Sequence, residues 1–152
     1  MKTVIREATI KDADIVSAFN VLMAKETEQK DLDKEVARRG AEALLADRTK
    51  GFYLLAELDG RIVGQLMITY EWSDWRNGTF WWIQSVYVVK EYRKQKVFTS
   101  LFDDVTARAK SEGTVCGLRL YVEKHNERAK TTYESLGMKQ THYELFEIDF
   151  PL

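Results

Sequence analysis

The amino-acid sequence predicts a mixed α/β fold, a sheet of antiparallel and parallel strands with helices packed against it. Two observations carry that prediction. Strand-like and helix-like runs succeed one another as β-α-α-β-β-β-α-β-α-β, with hairpins early and βαβ crossovers late. The 152 residues contain no linker, repeat or low-complexity tract, so they read as one domain with its own core.

Each element has a local reason. Thr3–Ala8 reads as a first strand. Thr9 opens T-I-K-D-A-D, a polar helix start, and Ile15, Phe19, Leu22 and Met23 then keep helical spacing. A second helix is expected over Asp33–Ala46, with Val36, Ala43, Leu44 and Leu45 inward and Gly40 a weak point inside it. Gly51 precedes strand Phe52–Leu58, Asp59-Gly60 is a two-residue hairpin signal, and Arg61–Tyr70 returns as the next strand. After the polar turn Ser73–Gly78 comes F-W-W-I-Q-S-V-Y-V-V (Phe80–Val89), nearly continuous in β-branched and aromatic residues. The basic turn K-E-Y-R-K-Q-K (Lys90–Lys96) then feeds a helix over Val97–Glu112. Its Val97, Phe98, Leu101, Phe102, Val105 and Ala109 share one face. Strand Leu118–Val122 follows Gly113, and helix Glu127–Leu136 stops at Gly137, a natural left-handed terminator. Thr141–Asp149, partly alternating, reads as the last strand.

Composition narrows the function classes. With 45% hydrophobic and 31% charged residues the chain is an ordinary globule. Lys+Arg 23 against Asp+Glu 24 leaves a net charge of -1, so no global field draws it to nucleic acid or to an acidic membrane. Met1–Ala8 lacks an apolar signal core, and no run approaches the ~20 apolar residues of a spanning helix. A cytoplasmic protein is expected. Cys116 is the single cysteine, so no internal disulfide forms. It follows Val115 and precedes strand-like Leu118-Arg119-Leu120, and reads as core filler or loop rather than nucleophile. His125 and His142 stand apart with no further ligand set, so no metal is expected.

Two segments carry chemistry. A basic turn at a helix N-terminus suits phosphate, because orphan N–H groups and the positive dipole end point at one spot. The second segment is N-E-R-A-K-T-T-Y-E-S-L-G-M, residues 126–138. Together they resemble the GNAT superfamily of acyl-CoA-dependent N-acetyltransferases. In that family a strand leads into R-x-x-G-x-G/A, and about thirty residues later comes N-x-x-A-x-x-x-Y-x-x-x-G-F. The second pattern matches here with Met138 for Phe. The first matches at Arg93, while Lys96 and Phe98 stand at its glycines.

The resemblance implies a mixed sheet of about six to seven strands flanked by about four helices, and acetyl-CoA (coenzyme A) as cofactor. It assigns the cofactor to backbone around Val86 and Val88 and to the turn of Arg93, Lys94, Gln95, Lys96, Val97, Phe98 and Thr99. Lys96 forfeits the close approach a glycine allows but brings a cation. Asn126 caps its helix, contacts the pantetheine arm, or does both. Tyr133 is the implied general acid for the departing thiolate, or else a core aromatic beside Ala129 and Leu136.

The general base is less defined. Members similar to spermidine/spermine acetyltransferase carry a glutamate near the position of Gln84, which cannot take a proton. A carboxylate acting through water must replace it: Glu28, with Glu26, Glu71 and Asp74 as alternatives. All four tryptophans lie in E-W-S-D-W-R-N-G-T-F-W-W (residues 71–82). Glu71, Asp74, Trp75 and Trp82 would suit an ammonium through charge pairing and cation–π attraction, or the aromatics would stabilise a hairpin across strands. The expected activity is acetyl transfer to a primary amine of a small, cationic acceptor by direct attack on the thioester. Alternatives are a non-catalytic acyl-CoA- or partner-binding domain and a protein or peptide N-acetyltransferase. A homodimer is compatible with the sequence.

Overall fold

The computed structural model describes residues 2–152. Its strands form one sheet in chain order: β1 (Val4–Glu7), β2 (Phe52–Leu58), β3 (Arg61–Ser73), β4 (Gly78–Val88) and β5 (Val115–Arg119). The first three junctions are antiparallel and β4–β5 is parallel. The helices are α1 (Ala13–Glu28), α2 (Lys34–Leu45), α3 (Val97–Glu112) and α4 (Glu127–Ser135), with short 3-10 turns at Ile10–Asp12 and Lys90–Tyr92. A first compact unit ends at Leu120 and a second comprises Tyr121–Leu152.

Local chemistry explains the elements. Thr9 and Asp12 form a reciprocal cap ahead of α1, and Asp12 also accepts both terminal nitrogens of Arg6 at 2.9 Å. Asp33 Oδ1 accepts from the N–H groups of Glu35 and Val36 at 3.0 Å and starts α2. Asp59 and Gly60, at φ 50 and 76, make the tight hairpin that sends the chain back as β3. The core is assembled on β2, whose Leu54, Leu55 and Ala56 are fully buried. Val16 of α1 and Ala41 and Leu44 of α2 pack with Tyr53 and Leu55. Leu101 and Val105 of α3 are fully buried as well. A Cβ on Gly64 of β3 would lie 2.9 Å from Val97 Cγ1, so this glycine lets α3 begin close against the strand.

The structure departs from the sequence expectation in several places. In α2, Val36 and Ala43, expected inward, are exposed, and β3 and β4 extend to Ser73 and Gly78, so that only residues 74–77 remain as the turn. The sheet has five strands, because residues 141–152 form none. A strand is defined by its hydrogen-bonded neighbour, and Thr141–Asp149 pairs with no other described segment. The fifth strand spans Val115–Arg119 rather than Leu118–Val122. Its pairing begins at Thr79↔Val115, and the Phe80 ring covers Gly117, where a Cβ would meet the ring at 2.7 Å. Cys116 is therefore an exposed residue of a strand, neither core nor loop. Among the described residues, no helix is long and apolar enough to cross a membrane.

Candidate functional site

The central feature is a strand that outruns its neighbour. β4 pairs with β5 from Thr79↔Val115 to Trp82↔Arg119, then continues alone on that side through Val88. On its other side β3 stays bonded as far as Gly64↔Val88. Just beyond the parting point the register slips: Gln65 faces Tyr87 while Met67 faces Gln84, leaving an extra residue in β4. Ser85 absorbs this bulge at φ 52. A bulge bends and twists its strand, which turns β4 from the line of β5 and leaves the backbone of Ile83–Val88 with an open edge. Val86 and Val88 lie half-buried on that stretch.

A buried polar chain lies behind the bulge. Gln65 is fully buried; its Nε2 donates to Ser85 O at 3.1 Å and to Asn20 Oδ1 at 2.9 Å, and Asn20 Nδ2 donates to Tyr53 Oη at 3.1 Å. Burial pushes the Tyr53 phenol above its ordinary pKa. Gln65 Oε1 has no hydrogen-bond partner among the described residues. A buried polar atom of this kind is costly unless a water reaches it.

The turn after β4 keeps the shape that glycines would favour without using them. Lys94 and Lys96 sit in the left-handed region at φ 62 and 63. Lys96 is the N-cap of α3 and supplies no side-chain acceptor to the first-turn N–H groups. Both lysines are exposed, Thr99 is half-buried, and Gln95 Nε2 donates to Glu91 O at 3.1 Å. Phe98 turns its ring to Phe102, centroids 6.2 Å apart. Exposed cations, an uncapped helix start and an open strand edge thus adjoin, and this donor set fits a pyrophosphate followed by an amide-bearing arm.

Arg93 is already engaged. Its Nε donates to Val88 O at 2.8 Å and its Nη2 to Glu26 Oε2 at 2.7 Å, with the guanidinium 5.4 Å from the Tyr87 ring centre. Tyr87 Oη donates to the other oxygen of Glu26 at 3.3 Å. Burial, and next the Glu26 charge, raise the Tyr87 pKa. Glu26 thus ties the end of α1 to the end of β4.

The acidic and aromatic residues of the β3–β4 hairpin divide by role. Glu71 Oε1 accepts from Trp82 Nε1 at 2.7 Å and from Arg119 Nη1 at 3.1 Å, so a cation from outside would compete with Arg119. Asp74 is exposed at the hairpin tip and accepts from the Trp75 N–H at 2.9 Å. Trp75 is 89% exposed, whereas Trp81 packs edge-on against Phe52 in the core. Gln84 Nε2 donates to Thr69 Oγ1 at 2.6 Å. Glu28 is the exposed last residue of α1.

In the second unit, Asn126 Oδ1 accepts from the Ala129 N–H at 3.1 Å and caps α4. Tyr133 is half-buried on that helix, and desolvation raises its pKa. Gly137 takes φ 93 just after the helix, as its position suggested. No cluster of three or more potential metal ligands exists among the described residues.

Sequence reasoning gave Glu26 no partner and did not single out Gln65. Gln65 had a signal, one amide inside the apolar run I-V-G-Q-L-M-I. The pairing of Glu26 with Arg93 had none, because the two lie far apart in the chain.

Comparison with known proteins follows this geometry. The family described as Acetyltransferase (GNAT) matches residues 16–138. A possible acetyltransferase from Clostridium difficile 630 is 47% identical, each chain covering 100% of the other, with a TM-score of 0.93. A predicted acetyltransferase with acetyl-CoA from Clostridium acetobutylicum is 19% identical over 97% of this chain and 96% of its own, with a TM-score of 0.78. Glucosamine-6-phosphate N-acetyltransferase from Arabidopsis thaliana is 20% identical over 97% of this chain and 99% of its own, with a TM-score of 0.72. No curated protein matches the chain.

Proposed function

Because the chain belongs to the acetyltransferase (GNAT) family, we propose that it transfers an acetyl group from acetyl-CoA to the primary amine of a small, cationic acceptor. The observation that carries this reading is the open backbone edge of β4 beyond Trp82, running into the left-handed turn and the start of α3. We take the two compact units as one catalytic domain in the cytoplasm, since the family match spans the boundary between them.

In this reading Ile83–Val88 bonds the extended arm of the cofactor through main-chain groups, with Val86 and Val88 at its edge. Lys94, Lys96 and the N–H groups of Val97, Phe98 and Thr99 hold the pyrophosphate, flanked by Gln95 and Arg93. Asn126 orders the start of α4, and through it Tyr133. Acetyl-CoA supplies an activated thioester. Glu28 removes the ammonium proton through a water. The freed amine lone pair would form a C–N bond to the carbonyl carbon as the C–S bond breaks, Tyr133 would give its phenolic proton to the departing sulfur, and the amide nitrogen would give up its surplus proton to restore the phenol. A raised phenol pKa keeps that proton in place through neutral and mildly alkaline pH. Asp74, Trp75, Trp82 and Glu71 attract the cationic acceptor.

A second reading, a domain that binds acyl-CoA without turnover, is favoured by one observation: the motif arginine is neutralised by Glu26. Titration calorimetry with acetyl-CoA, followed by thiol release across diamines, aminoglycosides, amino acids and peptides, separates the two. Release with diamines is expected. Binding without release across the panel establishes the second reading, and a preference for peptides or acidic amines overturns the proposed acceptor.

A further inference from the structure

The course of β4 beyond Trp82 depends on one residue in an unfavourable conformation. Trp81 packs against Phe52, on the face opposite to Tyr53 and so away from α1. Tyr87 instead packs on Phe19 of α1, with ring centres 5.0 Å apart. Positions 81 and 87 have the same parity, so an unbroken strand would put both on one face. The extra residue at the bulge has exchanged the two sides. It redirects the main chain as well. Val89 donates its N–H to Val63 O at 2.8 Å, so alternation sends the Val88 N–H to the open side of the strand.

A serine is not at ease at φ 52. What holds it there is a closed ring of hydrogen bonds drawn from α1, β2, β3 and β4. Gln65 Nε2 donates to Ser85 O at 3.1 Å and to Asn20 Oδ1 at 2.9 Å. Asn20 Nδ2 donates to Tyr53 Oη at 3.1 Å, and the Ser85 side chain hydrogen-bonds the same phenol. Gln65 is fully buried, and its Oε1 has no hydrogen-bond partner among the described residues. A leucine of similar size would pack in this apolar strand without leaving that orphan. Packing therefore gives no reason for an amide at this position, whereas the bond to Ser85 O does.

We propose that Gln65 is a positioning residue for acetyl transfer, anchoring Ser85 O so that the open-side N–H groups beyond the bulge meet the thioester end of the cofactor. This role rests on the acetyltransferase reading above. Gln65 touches neither cofactor nor acceptor and acts through Ser85 alone. Its loss misaligns the reacting atoms, which slows the chemical step. Affinity for acetyl-CoA is spared, because the charged turn and the start of α3 supply it.

The test is thiol release with the best amine of the panel in Gln65→Leu. Should that variant fail to fold, Gln65→Met, unbranched and adaptable in a core, takes its place. The kcat should fall by about 10–100-fold, with KM for acetyl-CoA nearly unchanged. Adding Ser85→Gly should recover most of the loss, because glycine adopts the left-handed conformation without a clamp. A residue that only stabilised the fold would lower Tm, leave kcat of the folded protein intact and gain nothing from the glycine. An unchanged kcat in the Gln65 variant, or no recovery with Ser85→Gly, overturns the role of Gln65 and leaves acetyl transfer standing. A native protein that releases no thiol with any amine overturns the acetyltransferase reading, and this role with it.

Discussion

Arg93 cannot meet a phosphate without also meeting Glu26, whose carboxylate already accepts from its Nη2. Arg93→Ala should weaken acetyl-CoA binding by about 1–3 kcal/mol, the scale of a charge-assisted hydrogen bond. Glu26→Gln should tighten it several-fold by removing the competing anion. Calorimetry reads both, and equal affinity in all three proteins would remove Arg93 from the cofactor shell. Lys96 offers a cleaner prediction because its φ of 63 is unfavourable for any residue with a Cβ. Lys96→Gly should stabilise the fold by about 1 kcal/mol and raise Tm by roughly 2–4 °C. A lower Tm would mean that the lysine side chain makes a contact worth more than the strain. Tyr133→Phe should retain the fold and lower kcat by about 10²–10⁴, with acetyl-CoA affinity unchanged; undiminished turnover would make Tyr133 a packing residue only. At this scale the sequence was a partial guide. Turn and motif positions follow from residue type, but whether Glu71 is available depends on Arg119, and no local pattern announces that pairing.

Among the elements, α3 and β2 begin and end where the sequence placed them, because the amphipathic stripe of one and the Asp59-Gly60 turn after the other are strong local signals. The bulge was illegible, since Ser85 takes a left-handed conformation that sequence associates with glycine or asparagine. The junction of β1, α1 and β2 is held by Arg6, which bonds Asp12 and Glu57 together. The Arg6 hydrogen bonds hold the Asp12 carboxyl below its usual pKa. A depressed carboxylate stabilises the fold at pH above the unfolded value and loses that contribution as pH falls through the folded value. Stability should therefore decline below about pH 4, and Asp12→Asn should flatten that decline while costing about 1–2 kcal/mol at neutral pH. Urea titrations of both proteins across the acid range check it. A native slope below that pH retained in the variant would assign the acid sensitivity elsewhere.

For the whole molecule, topology was legible through order: hairpins then crossovers give an antiparallel sheet that ends in one parallel pair. The strand count was not, because Thr141–Asp149 alternates only in part, and periodicity alone does not supply the hydrogen-bonded neighbour that makes a strand. The half-bonded β4 also has a kinetic signature. Amides of Ile83–Val88 that point to β3 are locked in a ladder, while those on the opposite side have no strand to bond. One strand should therefore hold two populations in deuterium exchange, slow where the amide faces β3 and fast where it does not, with the bulge at Ser85 interrupting the alternation. A ligand that completes the missing side would slow the fast set alone, so residue-resolved exchange with coenzyme A would footprint the arm on the backbone without any turnover.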